Sequence, residues 1–176
     1  ASGPVGPFTL YANSGQLTPP VIERIKETFR THPGKREVQL IVTDQGKTTT
    51  KDLIRSILSA HDETIAPSGS FNNEIGVPVT ILSCTDSTRY CILEMGARHR
   101  GDIEYLCSIA KPEIGLVLVV GTAHLGEFGS QEIIAKTKGE LIDSLPDSGI
   151  AVLGTYDPFT PRMGERRAIK RVTFGE

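Results

Sequence analysis

Three short motifs, far apart in the chain, could do chemistry together if the fold gathers them. The first is Gly46-Lys47-Thr48-Thr49, which follows an apolar run ending at Thr43. Glycine lets a backbone approach phosphate, lysine supplies a point charge, and a threonine hydroxyl can ligate Mg²⁺. A helix starting here would add free N–H groups and a partial positive charge. The second is Glu94, a carboxylate at the end of another apolar run, placed where an acid can order Mg²⁺. The third is His124, just beyond a third apolar run. Each is ordinary by itself. Gly-Lys-Thr arises by chance, a loop glutamate is usually solvated, and a lone histidine is usually a satisfied, partly buried imidazole. A hydroxyl, a carboxylate and an imidazole at one sheet edge fit a magnesium–phosphate centre better than chance.

Lys138 adds a fourth residue. In a helix over 131–144 the apolar face carries Ile134, Leu141 and Ile142. Lys138 is four residues after Ile134 and three before Leu141, so it points with them, while Lys136 and Glu140 fall on the other side. An inward lysine is costly unless its head finds a partner or reaches solvent. It is either a snorkelling side chain at the rim of the core or a lysine in the site.

The elements that must position these residues follow from periodicity. Apolar runs at 38–43, 89–93, 114–120 and 149–154 read as strands. Helices are expected after Gly46, with Leu53, Ile54, Ile57 and Leu58 on one face, and at 101–110 and 131–144. Another is expected in Pro19–Phe29, with Val21, Ile22, Ile25 and Phe29 at helical spacing. The alternation predicts an α/β domain, with a mainly parallel sheet, helices on both faces and the three layers of a P-loop NTPase. Ligands of such sheets sit outside the carboxyl ends of the strands, where these motifs fall. Residues 1–37 are read as a lead-in segment with a short helix, and residues 38–176 as the domain.

Composition narrows the classes. A net charge of −2 over 176 residues offers no basic surface for nucleic acid and no acidic tract. The longest apolar run, Gly115–Val120, is far too short to span a bilayer. Residues 1–15 lack a basic region followed by an apolar stretch and are not read as a secretory signal. Three cysteines without a Cys-x-x-Cys spacing are read as buried thiols of a cytoplasmic protein.

Longer stretches carry a resemblance. "GKTTTKDLI", "GSFNNEIGVP", "LEMGARHRGDIEYLCSIAKPEIGLV", "VGTAHLGEFGSQEIIAKTKGEL" and "VTFGE" together resemble the ATP-binding central domain of the Mur ligases, from about Val38 to Glu176. The likeness is nearest the branch that adds D-Ala-D-Ala to UDP-N-acetylmuramoyl-tripeptide in peptidoglycan synthesis. It implies a reaction in which ATP phosphorylates the tripeptide carboxylate and the incoming amine attacks the acyl phosphate, with Mg²⁺ as the metal. By that resemblance Lys47 holds the β- and γ-phosphates within Gly46–Thr49. Thr48, Glu94 and His124 help hold the metal. Lys138 matches a lysine that is carbamylated into a metal ligand. Asn72, Asn73 and Glu74 lie where the family meets its UDP-peptide, and Arg98 and His99 follow a strand end within reach of it. Two asparagines before a helix are as readily a capped loop, and Arg98 and His99 are as readily exposed loop charges.

Departures from the family pattern set a competing expectation. The family loop reads Thr-Gly-x-x-Gly-Lys-Thr, whereas here Thr43-Asp44-Gln45-Gly46-Lys47-Thr48 is one residue shorter and lacks the first glycine. An Asp44 carboxylate roughly 5 Å from phosphate would cost about 3 kcal/mol at an effective dielectric of about 20. That is about a hundredfold in affinity. Val119-Val120-Gly121 stands for Asn-Val-Gly, and Gly154–Pro158 stands for an Asn-Ala-Asp-Asp-Pro turn. The family's N- and C-terminal ligase domains are expected to be missing partners of this chain. The competing expectation is a non-catalytic or engineered derivative that keeps the fold and binds ATP weakly or not at all. A GTPase-type switch has less support, because no Asn-Lys-x-Asp motif occurs.

Overall fold

The computed structural model of the chain describes residues 38–43, 46–122 and 125–175. Six strands form one sheet: β1 (Val38–Thr43), β2 (Thr64–Ile65), β3 (Tyr90–Glu94), β4 (Ile114–Val117), β5 (Ile150–Gly154) and β6 (Lys170–Phe174). Their order is β2-β3-β1-β4-β5-β6, and every pair is parallel. Five helices connect them: α1 (Lys47–Leu58), α2 (Gly76–Leu82), α3 (Asp102–Ala110), α4 (Leu125–Phe128) and α5 (Gln131–Asp143), with a 3₁₀ turn at Thr160–Arg162.

Alternation along the strands divides the core in two. Cys91, Leu93, Ala151 and Leu153 pack with Ile103 and Leu106 of α3 and Ile134, Leu141 and Ile142 of α5. Ile92, Leu116, Ile150 and Val152 pack with Ile54 and Leu58 of α1 on the opposite face. Helices therefore cover both faces, as the alternating pattern predicts. Glu94 shares the parity of Ile92 and so turns toward α1. The chain leaves β1 toward β2 and β3, then crosses β1 to reach β4. The carboxyl ends of β1 and β4 thus flank a switch in winding direction, the usual place for a crevice in such a sheet.

Several boundaries differ from the periodic reading. β4, expected over 114–120, stops at Val117 instead of Val120, because the backbone of Val120 is drawn into other contacts. Its N–H donates to Asp157 and its carbonyl accepts from the Gln131 amide. Glu94 is the last residue of its strand, so its direction is set by the sheet. β2 and α2 escape the periodic reading because both are short: two residues and seven. The helix expected in Pro19–Phe29 lies outside the described residues. Among the thiols, Cys91 and Cys107 are buried and Cys84 is half-buried. Burial pushes Cys107 up to about 12, so it stays a neutral core group.

Two side chains brace α5, the helix that carries Lys138. Ser130 caps its start by accepting from the Ile133 N–H. Arg167 closes its end, donating to the carbonyls of Ile142, Asp143 and Leu145.

Candidate functional site

Gly46 opens α1 in the left-handed region, at φ +84°, which a glycine adopts without strain. No side chain caps this helix start, and its first turn carries no acid. Lys47 and Thr48 therefore stand at a helix N-terminus whose N–H groups are oriented for an anion.

Beside that turn lies Glu94, 1 % exposed at the end of β3. The Thr48 hydroxyl donates to its Oε2 at 3.2 Å, and the Asn72 amide donates to its Oε1 at 2.9 Å. Thr48 is also 3.4 Å from the Ser70 hydroxyl. The Asn72 carbonyl in turn accepts from the Gly96 N–H at 2.8 Å. A Cβ on Gly96 would sit 3.1 Å from the Asn72 side chain, so glycine lets the two segments close together. A buried carboxylate is costly without partners, and here two side-chain donors supply them.

A cavity of about 550 Å³ opens against this network. Lys47, Asn72, Asn73, Glu74, Arg98, His99 and Lys138 all line it, with Tyr105 and Phe128 as aromatic wall. Seven of the residues singled out in the sequence thus meet at one place. Thr48 and Glu94 lie behind Asn72, and Gly46 and Thr49 complete the helix start. His124 lies outside the described residues. Lys138 is half-buried at the rim, as expected of an inward lysine whose head meets a cleft.

The plain alternatives hold for parts of the set. The Asn73 side chain accepts from the N–H groups of Ile75 and Gly76, so it caps α2 while bordering the cavity. Arg98 and His99 are exposed, and their backbone N–H groups both donate to Asp102 at 2.8 Å. That turn fixes the backbone and leaves both side chains at the mouth. Glu140 departs from its expected outward position. Its carboxylate accepts from the N–H groups of Gly101 and Glu104, capping the start of α3. The N-terminal pole of α3 attracts the carboxylate across the helix–helix contact.

Sequence reasoning passed over Lys51 and Asp157. Lys51 is 0 % exposed, on the face of α1 that also carries Ile54 and Leu58. Its spacing of three and seven from those residues is the same signal that singles out Lys138. Asp157 binds the Val120, Phe159 and Thr160 N–H groups and the Thr160 hydroxyl. Its bonds to Phe159 and Thr160 form a local turn of a kind that Asp favours, but no local pattern announces the bond to Val120, which is far away in sequence.

Among the described residues, no three His, Cys, Asp or Glu side chains gather as a metal cage. No helix among them is long and apolar enough to cross a membrane.

Comparison with known proteins supplies the remaining findings. The family model described as "Mur ligase middle domain" matches residues 44–176. A UDP-N-acetylmuramoyl-tripeptide–D-alanyl-D-alanine ligase of Mycobacterium bovis is 53% identical over 132 residues, 75% of this chain and 26% of the relative. The Escherichia coli enzyme of that name is 40% identical over 116 residues, 66% of this chain and 26% of the relative. Among solved structures, MurF from Acinetobacter baumannii superposes with a TM-score of 0.72 at 34% identity, covering 83% of this chain and 32% of that one. MurF ligase from Thermotoga maritima in complex with ADP gives 0.68 at 32% identity, covering 93% and 39%. The chain spans about a quarter of the length of these curated relatives.

Proposed function

The chain belongs to the Mur ligase family through its middle domain, and we propose that it is the ATP-binding part of an enzyme joining D-Ala-D-Ala to UDP-N-acetylmuramoyl-tripeptide. The observation that carries this reading is the meeting of the α1 start, the Thr48–Glu94–Asn72 network and the cavity lined by Lys47 and Lys138. Phosphate belongs at the helix start, where Lys47 places a positive charge within the cavity wall. The tripeptide belongs in the cavity, against Asn72, Asn73, Glu74, Arg98 and His99.

The donor set suits Mg²⁺. Adjacent ligands of an octahedral Mg²⁺ lie about 3 Å apart, and the Thr48 hydroxyl and Glu94 Oε2 are 3.2 Å apart. A single carboxylate is also fitting, since Mg²⁺ is commonly held by one or two acids together with substrate phosphates. Thr48 and Glu94 would hold the ion, and by the family resemblance His124 and a carbamylated Lys138 would serve as further ligands. When bound, the ion would neutralise charge on the transferring phosphoryl group.

This chain's own residues do the positioning. Lys47 orients the terminal phosphates at the helix start. The Asn72–Glu94 bond holds the substrate loop against that phosphate site, so the tripeptide carboxylate can face the phosphoryl group it accepts. Arg98, at the mouth beside His99, attracts the anionic UDP-linked substrate. The remaining parts of the reaction, the UDP-sugar end and delivery of the amine, fall to the N- and C-terminal domains of the whole ligase. A supply of ATP and of nucleotide-linked precursor places the work in the cytoplasm.

The competing expectation, a derivative that has lost ATP, is not favoured by 53% identity to a curated ligase over 132 residues. The altered residues 44 and 45 lie outside the described structure, and their effect is a matter of affinity. Calorimetric titration of Mg-ATP into the chain and into Lys47→Ala, in bicarbonate buffer, tests the reading. The expected result is micromolar-to-millimolar binding that is lost in the variant. Equal affinity in both proteins, or none in either, would overturn it for this chain.

A further inference from the structure

Two charged side chains are essentially buried in the described core, Lys51 at 0 % and Glu94 at 1 % exposed. Both grip the same segment. Lys51 Nζ donates to the carbonyls of Pro67 at 2.7 Å and Gly69 at 2.9 Å, and lies 3.3 Å from Asp52 Oδ1. The two carbonyls take two of the three N–H donors of an ammonium, and the Asp52 carboxylate balances its charge. Glu94 holds the same segment three residues on, through the Asn72 amide. Residues 67–72 are thus a strap, fastened under α1 at one end and at the cavity wall at the other. Asn73 and Glu74 continue from it along the cavity.

We propose that Lys51 is the positioning residue of this strap, fixing how far Asn72, Asn73 and Glu74 reach into the cavity. A buried ammonium tolerates no loss of its acceptors. Sliding the strap would strand Nζ, so the Pro67 and Gly69 carbonyls are held in one place. Lys51 is one helical turn after Lys47, so the helix that presents the phosphate site also sets the loop facing it. The proposal deepens the ligase reading and rests on it only for what the strap delivers. The placement of the strap stands without that reading.

Amide hydrogen exchange by NMR on the ligand-free 176-residue chain tests the proposal. The probes are the Gly96 N–H, which is bonded to the Asn72 carbonyl, and the Asn72 side-chain amide resonances. In Lys51→Met the side-chain volume stays similar, and the two hydrogen bonds and the ion pair disappear. The Gly96 amide is expected to exchange at least about tenfold faster relative to the Val152 amide of the interior strand β5. The Asn72 side-chain resonances should shift at the same time. Equal acceleration at both amides, or no change at Gly96, would mean that Lys51 contributes stability alone, and would overturn the proposal.

Gly69→Ala approaches the same point without touching the core, and serves if Lys51→Met does not fold. Gly69 has φ +81° and open space around its Cβ position, so a side chain there strains the backbone that presents its carbonyl. The same selective loss of Gly96 protection is expected, and uniform exchange would overturn the proposal. No ligand takes part in either measurement. A negative result therefore leaves the ligase reading standing, and a failed Mg-ATP titration leaves the exchange result standing.

Discussion

Glu94 and Asp157 both stand at the carboxyl edge of the sheet, and both are carboxylates that organise their surroundings. Asp157 accepts from three backbone N–H groups and one hydroxyl. Glu94 accepts from two side chains, the Thr48 hydroxyl and the Asn72 amide. Backbone donors cannot turn away without moving the chain, so Asp157 is committed to joining the β4 exit to the turn after β5. Side-chain donors can rotate, and a hydroxyl oxygen can ligate a cation as readily as it donates a hydrogen bond. Glu94 is therefore held ready, beside a cavity and a helix start, while Asp157 is spent on architecture. The type of donor separates a structural carboxylate from a chemical one more clearly than burial does. Glu94 is the more buried of the two, yet it is the one suited to chemistry.

Three substitutions sharpen or break this contrast. The largest effect is expected from Asp157→Ala, which leaves three backbone donors without their acceptor. It should cost about 3 kcal/mol in urea-unfolding free energy, with Mg-ATP affinity falling only as far as the folded fraction does. A loss below about 1 kcal/mol would show that the turn does not need the carboxylate. Next comes Glu94→Gln, which keeps the shape and can still accept from Asn72. Stability should move by about 1 kcal/mol or less, while ATP affinity in the presence of Mg²⁺ falls about tenfold or more. Affinity for ATP without Mg²⁺ should hold, and an equal fall under both conditions would remove Glu94 from metal binding. The smallest effect belongs to Thr48→Val, which deletes one hydroxyl from a half-buried position. It should cost about 1 kcal/mol in stability, with a modest loss confined to the Mg²⁺-dependent part of ATP binding. A loss of stability near that of Asp157→Ala would erase the distinction between the two carboxylates.

Much of the site was legible without coordinates. Lys47 stands out by its Gly-Lys-Thr motif, and Glu94 and Lys138 because each ends or breaks an apolar pattern; the sheet brings the strand ends to one edge. Lys51 carries the same signal as Lys138 and was missed because the Gly-Lys-Thr beside it drew the reading toward Lys47. Glu140 was placed on the wrong side because helical periodicity separates apolar from polar positions. It cannot foresee that the start of a neighbouring helix will attract a carboxylate. β2 escaped because two residues hold no period. The part of Asp157 that ties the β4 exit to the turn after β5 escaped because its partner Val120 is 37 residues away.

Family resemblance pointed to Asn72, Asn73, Glu74, Arg98 and His99 of the cavity wall, while periodicity and short motifs by themselves determined the class of fold, the alternation of strands and helices, and the candidates Lys47 and Lys138. The latter depend on local spacing, which the chain carries in one dimension. The tertiary structure alone decided which oxygen meets which donor: Asn72 on Glu94, the Pro67 and Gly69 carbonyls on Lys51, and Glu140 on the start of α3. Hydrogen bonds are short and directional, so pairs distant in sequence form only after the packed elements have set their positions to a fraction of an ångström.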